Sequence, residues 1–214
     1  MSRHLYELIE AMRQRPEMYI GRTSLTGLQD HLGGFQVAMH VFEKNTIEAL
    51  FPLPFCFFSH YVANHYHDHG SVAGWHRMIL EETQYNEEAG FFTFYELFDR
   101  FKNLSASSRF IAPLAAENKH FHQISGTTPK RYKPDSEKYE PIYDDPTEIH
   151  WIELTHQAGY LLILKADSQH WLKYEIYKTK RDAETWIQQC FGSIPHWKTY
   201  PMGNLMCSNL FKIL

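Results

Sequence analysis

Apolar residues step along the first hundred positions at helical spacing. Leu5, Leu8, Ile9 and Met12 recur every three or four residues, which predicts an amphipathic helix over residues 4–14. Pro16 stops it, and the residue before a proline is pushed away from the helical region, so Arg15 marks the exit. Gly21 closes the connector, either through a positive φ or by letting another backbone approach. Leu25, Leu28, Leu32, Phe35, Met39 and Phe42 then form one continuous stripe, with Ser24 or Thr23 as its cap. Gly33-Gly34 interrupts that stripe at about 1 kcal/mol per glycine, which predicts a close crossing by a neighbouring element. Phe57, Phe58, Tyr61, Val62, His65 and Tyr66 predict a third helix, and Trp75, Met78, Ile79 and Leu80 a fourth. Asn86 caps a fifth, with Glu87 and Glu88 in its first turn and an aromatic stripe of Phe91, Phe94, Tyr95, Phe98 and Phe101.

The pattern changes after residue 104. Residues 105–148 carry Ser105, Ser107, Ser108 and five prolines, and they read as a linker or surface loop, with Leu114 to His120 a candidate short helix. Residues 149–214 alternate instead. Ile149 to Thr155 and Tyr160 to Lys165 flank His156-Gln157-Ala158-Gly159 as a hairpin, and Trp171 to Tyr177 is a third strand. Thr179 to Asp182 resembles a capping box ahead of a helix with Ala183, Trp186, Ile187 and Cys190 on one face, ended by Gly192. The expected fold is therefore α+β. A five-helix domain (1–104), a linker (105–148) and a small antiparallel β-β-β-α unit with a docked tail (149–214) follow one another.

Composition narrows the function classes. A net charge of -4 gives no basic footprint for nucleic acid. No apolar run approaches the ~20 residues a membrane span needs, and the first residues lack the apolar core of a signal peptide. Cys56, Cys190 and Cys207 are widely spaced and odd in number, as expected of reduced structural thiols in a cytoplasmic protein, with Cys56 and Cys190 on apolar faces.

Candidate chemistry is sparse. His60, His65, His67, His69 and His76 fall within one stretch with Asp68, and His65 and His69 have i, i+4 spacing without the intervening glutamate of a zinc helix. His120 and His122 lack a cysteine or carboxylate partner at ligand spacing. No GxSxG elbow and no phosphate-cradling glycine loop occurs, so neither a catalytic residue, a cofactor nor a metal is assigned. One surface stands out by charge: Asp135, Glu137, Glu140, Asp144, Asp145 and Glu148 against Lys138 alone, a local charge of -5.

Two resemblances are carried by short motifs. Arg15-Pro16-Glu17-Met18-Tyr19-Ile20-Gly21 resembles the RPGMYIG segment of gyrase B-type ATPases. That family places a glutamate and an asparagine on the next helix, and His31 to His40 here contains neither. The shared segment is thus read as a helix–connector–helix device, with Met18 and Ile20 plugging the gap. Over residues 5–103 the chain also resembles a group of small bacterial proteins with the order RPGMYLG, Ser-Leu-x-x-Leu, Gly-Trp-x-x-Met-Ile and an acidic-capped Phe-rich helix. The matching segments are Ser24 to Leu28, Gly74 to Leu80 and Glu87 to Phe101; Glu17 departs where the group more often has glycine. Proteins of that group are considered immunity proteins of toxin systems, including contact-dependent inhibition. The resemblance implies a cytoplasmic, non-enzymatic protein that neutralises a protein toxin, for which a nuclease is one candidate. The acidic stretch is then the expected docking surface, since negative charge steers onto a basic cleft. The alternatives are a metal-dependent enzyme using the His60–His76 cluster, and a regulatory or adaptor module binding through a sheet edge.

Overall fold

The computed structural model describes residues 2–42, 51–66, 74–114, 130–133, 138–141, 146–166, 171–192 and 197–199. Among them are seven α-helices and a five-stranded antiparallel sheet, a mixed α+β fold. The chain divides into two compact units, Met1–Ser105 and Ala106–Leu214.

The first unit contains α1 (Ser2–Gln14), α2 (Pro16–Ile20), α3 (Leu25–Phe42), α4 (Phe58–Tyr66), α5 (Gly74–Glu82) and α6 (Glu87–Lys102). That is one helix more than the periodicity gives. Pro16 does not merely end α1; it opens α2, because its missing N–H falls where a helix has no partner for it. Gly21 ends that turn at φ 74, with no atom within 4 Å of where a Cβ would stand, so its role is the left-handed conformation rather than a close approach. Met18 is 64% exposed and plugs nothing, whereas Ile20 does pack, its Cβ 3.4 Å from the position a Cβ would take on Gly27.

The core is aromatic. Phe57, Phe58, Phe91, Phe94, Phe98 and Phe101 are buried completely or nearly so. Phe94 and Phe98 stack at 5.7 Å, and Phe58 meets Phe94 edge-on at 5.2 Å and Phe101 at 5.3 Å. Such pairs contribute about 0.5–1.5 kcal/mol each beyond the burial of their surface. Trp75 of α5 joins them, 4.8 Å from Phe94.

Polar groups then lock α6 to its neighbours. Tyr95 donates its hydroxyl to the Ile9 carbonyl at 2.9 Å, and burial raises its pKa. Arg13 lies 4.4 Å over the Tyr95 ring and 2.9 Å from Asp99, which also meets Lys102 at 2.8 Å; Lys102 in turn pairs with Glu10. Across the unit, the Glu87 carboxylate receives the Thr26 hydroxyl at 2.6 Å, and the Thr26 N–H and Ser24 hydroxyl at 2.9 Å each. Ser24 is the cap of α3, its oxygen accepting the Gly27 N–H at 3.1 Å. The tight contact of this face is at Gly90 of α6, where a Cβ would stand 3.1 Å from Leu25 Cδ2. It is not at Gly33-Gly34, where a Cβ meets nothing within 4 Å.

In the second unit the strands are β1 (Ala106–Pro113), β2 (Lys130–Lys133), β3 (Lys138–Pro141), β4 (Pro146–Leu154), β5 (Tyr160–Ala166), β6 (Trp171–Tyr177) and β7 (Lys198–Thr199), with helix α7 (Lys180–Phe191). The sheet order is β6-β5-β4-β1-β7, and β2 pairs with β3 separately. The stretch expected as linker therefore supplies an internal strand. Its alternation is disguised: Arg109 sits at a buried position, Ser107 falls at a bulge, and Pro113 ends the strand where its missing N–H is tolerated. The β-β-β-α unit is correspondingly part of a larger sheet, closed by β1 and β7. Cys56 is exposed rather than on an apolar face, while Cys190 is buried as expected. The candidate helix at 114–120 and the tail at 205–214 lie outside the described residues, apart from Leu114, which is not helical.

Two glycines give opposite expectations. Gly34 is exposed with open space at its Cβ, so Gly34→Ala raises stability by up to about 1 kcal/mol through helix propensity alone. Gly159 has φ +117 and a Cβ there would stand 2.3 Å from the Tyr177 carbonyl oxygen, so Gly159→Ala costs at least about 3 kcal/mol or abolishes the sheet. Urea denaturation of the two variants checks both signs.

Acid sensitivity follows from the carboxylates. Partial burial pushes Glu87 and Asp99 upward, but hydrogen bonds from Thr26 and Ser24 to the first, and from Arg13 and Lys102 to the second, outweigh it and leave both below the ordinary carboxylate value. The stabilisation they supply is complete above their unfolded pKa values of about 4 and is lost as pH falls through the lower folded values. Glu87→Gln should flatten the acid limb of a stability–pH profile and leave its alkaline limb in place, whereas Asp99→Asn should flatten the acid limb and also weaken the alkaline limb, because Asp99 with Glu10 holds Lys102 above its usual pKa against the opposing effect of burial.

Candidate binding cleft

Strand parity builds two different faces on the sheet. Phe110 opposes Trp151, Ala112 opposes Ile149, and Trp151 in turn opposes Leu162, so these side chains share one face. Helix α7 covers part of it with Ala183 and Ile187. Thr179 caps that helix, its oxygen accepting the Asp182 N–H at 3.1 Å, which fixes where the first turn and Lys180 begin.

Beside α7 the face opens into a cleft of about 280 Å³. Four rings wall it: Phe110, Trp151, Tyr160 and Trp197. Trp151 is its buried floor, meeting Tyr160 at 5.8 Å and 80° and Trp197 at 5.7 Å and 88°. Glu153, Lys180 and Glu184 bring charge to it. Glu153 is half-buried and positioned by the Ser108 hydroxyl at 2.6 Å. Loss of solvent and the neighbouring Glu153 raise the pKa of Tyr160, which therefore stays a neutral phenol that hydrogen-bonds the carboxylate. Lys180 and Glu184 face each other at 3.7 Å, one turn apart on α7, both exposed. A broader depression of about 740 Å³ continues past Glu153 and Tyr160 to the β4–β5 loop. There His156 and Gln157 hold φ 58 and 56, a left-handed pair that non-glycine residues adopt only under constraint.

The opposite face carries a buried polar relay. His150 is 3% exposed, with Arg109 3.2 Å from Nδ1 and Glu148 3.2 Å from Nε2. A guanidinium only donates, so Nδ1 holds the lone pair and Nε2 carries the proton that Glu148 accepts. Ile152, Leu161, Ile163 and Ile176 are buried on this same face.

Among the described residues, those singled out by sequence do not assemble into one site. Asp135, Glu137, Asp144 and Asp145 lie outside the described residues. Glu140 is on β3 opposite Arg131, and Glu148 is on β4 against His150, so these two belong to strands rather than to a loop. His67, His69, His120 and His122 also lie outside the described residues. His60 and His65 are on α4, and His76 on α5 gives its Nε2 to the Thr26 hydroxyl at 3.1 Å. Among the described residues no three His, Cys, Asp or Glu side chains form a group able to hold a metal ion, and no helix is long and apolar enough to cross a membrane. The cleft is not legible in the sequence because its walls come from β1, β4, β5 and the approach to β7, and β1 lies in a stretch with the composition of a linker. Its one legible sign was the Trp and Tyr content of residues 149–199.

No family model matches the chain, and comparisons with curated proteins and with solved structures found no match.

The polar relay has a measurable cost of removal. Arg109→Ala leaves a buried ring nitrogen without its donor and should destabilise the sheet unit by about 1–3 kcal/mol, with Arg109→Lys recovering part of it, as read by urea titration.

Proposed function

We propose that the chain is a cytoplasmic immunity protein that binds and neutralises a protein toxin. The observation that carries this reading is where the three resembling motifs meet. Ser24 and Thr26 from the first, His76 from the second and Glu87 from the third join in one hydrogen-bonded knot, while Trp75, Met78, Ile79 and the Phe91–Phe101 stripe fill the core. The shared pattern thus specifies a scaffold, with its hydroxyls, imidazole and carboxylate spent on joining helices. A scaffold that spends its polar groups internally leaves its exterior available for recognising a partner, as an immunity protein requires. The finer arrangement, a helical domain followed by a β-rich unit, belongs to the same proposal.

Exposed large apolar side chains supply anchors on the helical unit: Met18 at 64%, Tyr85 at 60% and Phe92 at 56%. The acidic stretch remains the first docking surface, reduced by one member. Glu148 is engaged with His150, so its reversal would disturb the sheet as well as any docking.

Co-expression with the toxin encoded beside the gene, followed by affinity capture and a growth-rescue assay, tests the reading. A specific complex and rescued growth are expected. Asp144→Lys with Asp145→Lys should weaken capture at least about ten-fold by slowing association, with a shallower salt dependence. Growth rescue without any complex, or complex formation with every toxin tried, would overturn the proposal. Unchanged affinity in the double variant would remove the acidic stretch from it.

A further inference from the structure

We propose that the cleft on the α7 face of the sheet is a receptor for an organic cation, a guanidinium or alkylammonium group presented as an arginine or lysine side chain by a protein partner. Its chemistry is selective for positive charge in three ways. Rings present a negative π face, and a cation within about 6 Å of a ring centroid is attracted to it; Trp is the strongest such partner, and two of the four walls are Trp151 and Trp197. Tyr160 and Trp197 both stand nearly perpendicular to Trp151, so the rings form the sides of a box rather than a flat stack. Glu153 adds a carboxylate that is already oriented, held by Ser108 at 2.6 Å, and therefore needs little ordering when a ligand arrives. Glu184 supplies a second carboxylate at the rim.

The volume agrees with the ligand class. A cleft of about 280 Å³ is at the small end of ligand pockets and suits one side-chain head with its apolar stem rather than a whole nucleotide or cofactor. The aliphatic stem of lysine or arginine would lie along Phe110 and Trp151 while the charged head reaches Glu153.

Among the described residues lining the cleft, Lys180 is the cation, and it decides between readings. It meets Glu184 at 3.7 Å with 64% and 55% of the two side chains exposed, the kind of pair that holds weakly and is displaced easily. In a cation receptor, Lys180 competes with the ligand. In a receptor for anions, Lys180 would be the anchor. Removing it therefore moves affinity in opposite directions.

That the cation arrives on a protein rests on the proposed immunity function; the cation site itself does not. The test is a titration of the full chain with N-acetyl-arginine amide, followed by the indole N–H resonances of Trp151 and Trp197, with N-acetyl-norleucine amide and N-acetyl-glutamate amide as comparators. Saturable shifts with the arginine amide alone are expected. Lys180→Met should tighten binding about five-fold, Glu184→Gln should weaken it by a similar factor, and Trp197→Ala should abolish it. Glu184 and Lys180 are exposed, so these two variants leave the fold intact. Equal shifts with the norleucine amide, weaker binding by Lys180→Met, or no saturable shift would overturn the cation site. A pentapeptide with a central arginine should bind more tightly than free butylguanidine; the reverse order would overturn the side-chain assignment and leave a free small cation as the ligand. None of these readings requires a toxin. Their failure leaves the immunity function standing, and failure to capture a toxin leaves the cation site standing.

Discussion

The helical unit depends on one carboxylate. Glu87 lies in the first turn of α6, where negative charge already suits the helix dipole. The same carboxylate reaches the start of α3, taking the Thr26 N–H and the hydroxyls of Ser24 and Thr26. Two helix N-termini thus share one counter-charge, and orphan donors that would otherwise face water are satisfied across a gap of sixty-odd residues in sequence. The Thr26 hydroxyl has a single proton, given to Glu87 at 2.6 Å, so at 3.1 Å it accepts from His76 and α5 is drawn into the same joint. The close approach at Gly90 is a consequence. With the start of α6 held against the start of α3, Leu25 occupies the space a side chain at position 90 would need.

The sheet unit obeys a different constraint, the two-residue period of a strand. Once Phe110 pairs with Trp151, the same register puts Arg109 opposite Ile152 and Ile111 opposite His150 on the other side. A buried arginine is tolerable there because His150 and Glu148 carry its polarity away as a relay rather than leaving it isolated. The aromatic cleft and the buried relay are therefore two sides of one pairing. A slip of β1 by one residue would place Arg109 among the rings and Phe110 against His150, so the relay also fixes the register that forms the cleft.

What the chain reveals before folding divides along the same physical line. Long amphipathic periods were legible: α1, α3, α4, α5 and α6, the aromatic stripe of α6, and the caps Asn86 and Thr179 all follow from local pattern. The strands β4, β5 and β6 alternate cleanly and were read nearly to their ends. Illegible were features set by tertiary partners. Ala106 to Pro113 has serines, a buried arginine and a proline where a strand usually shows branched apolar residues, and only pairing with β4 makes it a strand. The cleft inherits that blindness because Phe110 is one of its walls. Gly33-Gly34 shows the opposite case, since among the described residues nothing lies within 4 Å of a Cβ on either glycine, while the single Gly90 marks a close approach.

The segment Arg15 to Gly21 illustrates why residue order can look specific without encoding a site. None of the residues of α2 is buried. Its constraints are on the backbone: Pro16 fixes the φ of the first helical residue, and Gly21 takes the left-handed conformation that ends the turn. Glu17 is helical, as its departure from glycine requires. Among the described residues, packing adds Tyr19, edge-on to His31 at 6.0 Å, and Ile20 against Gly27. Two dihedral requirements and two modest contacts bear on most of the seven letters, because Pro16 and Gly21 favour the backbone conformations that carry the chain from α1 to α3. The side chains of Arg15 and Met18 are exposed, and Arg15 serves through its backbone, its carbonyl accepting the Met18 N–H at 3.1 Å as α2 begins.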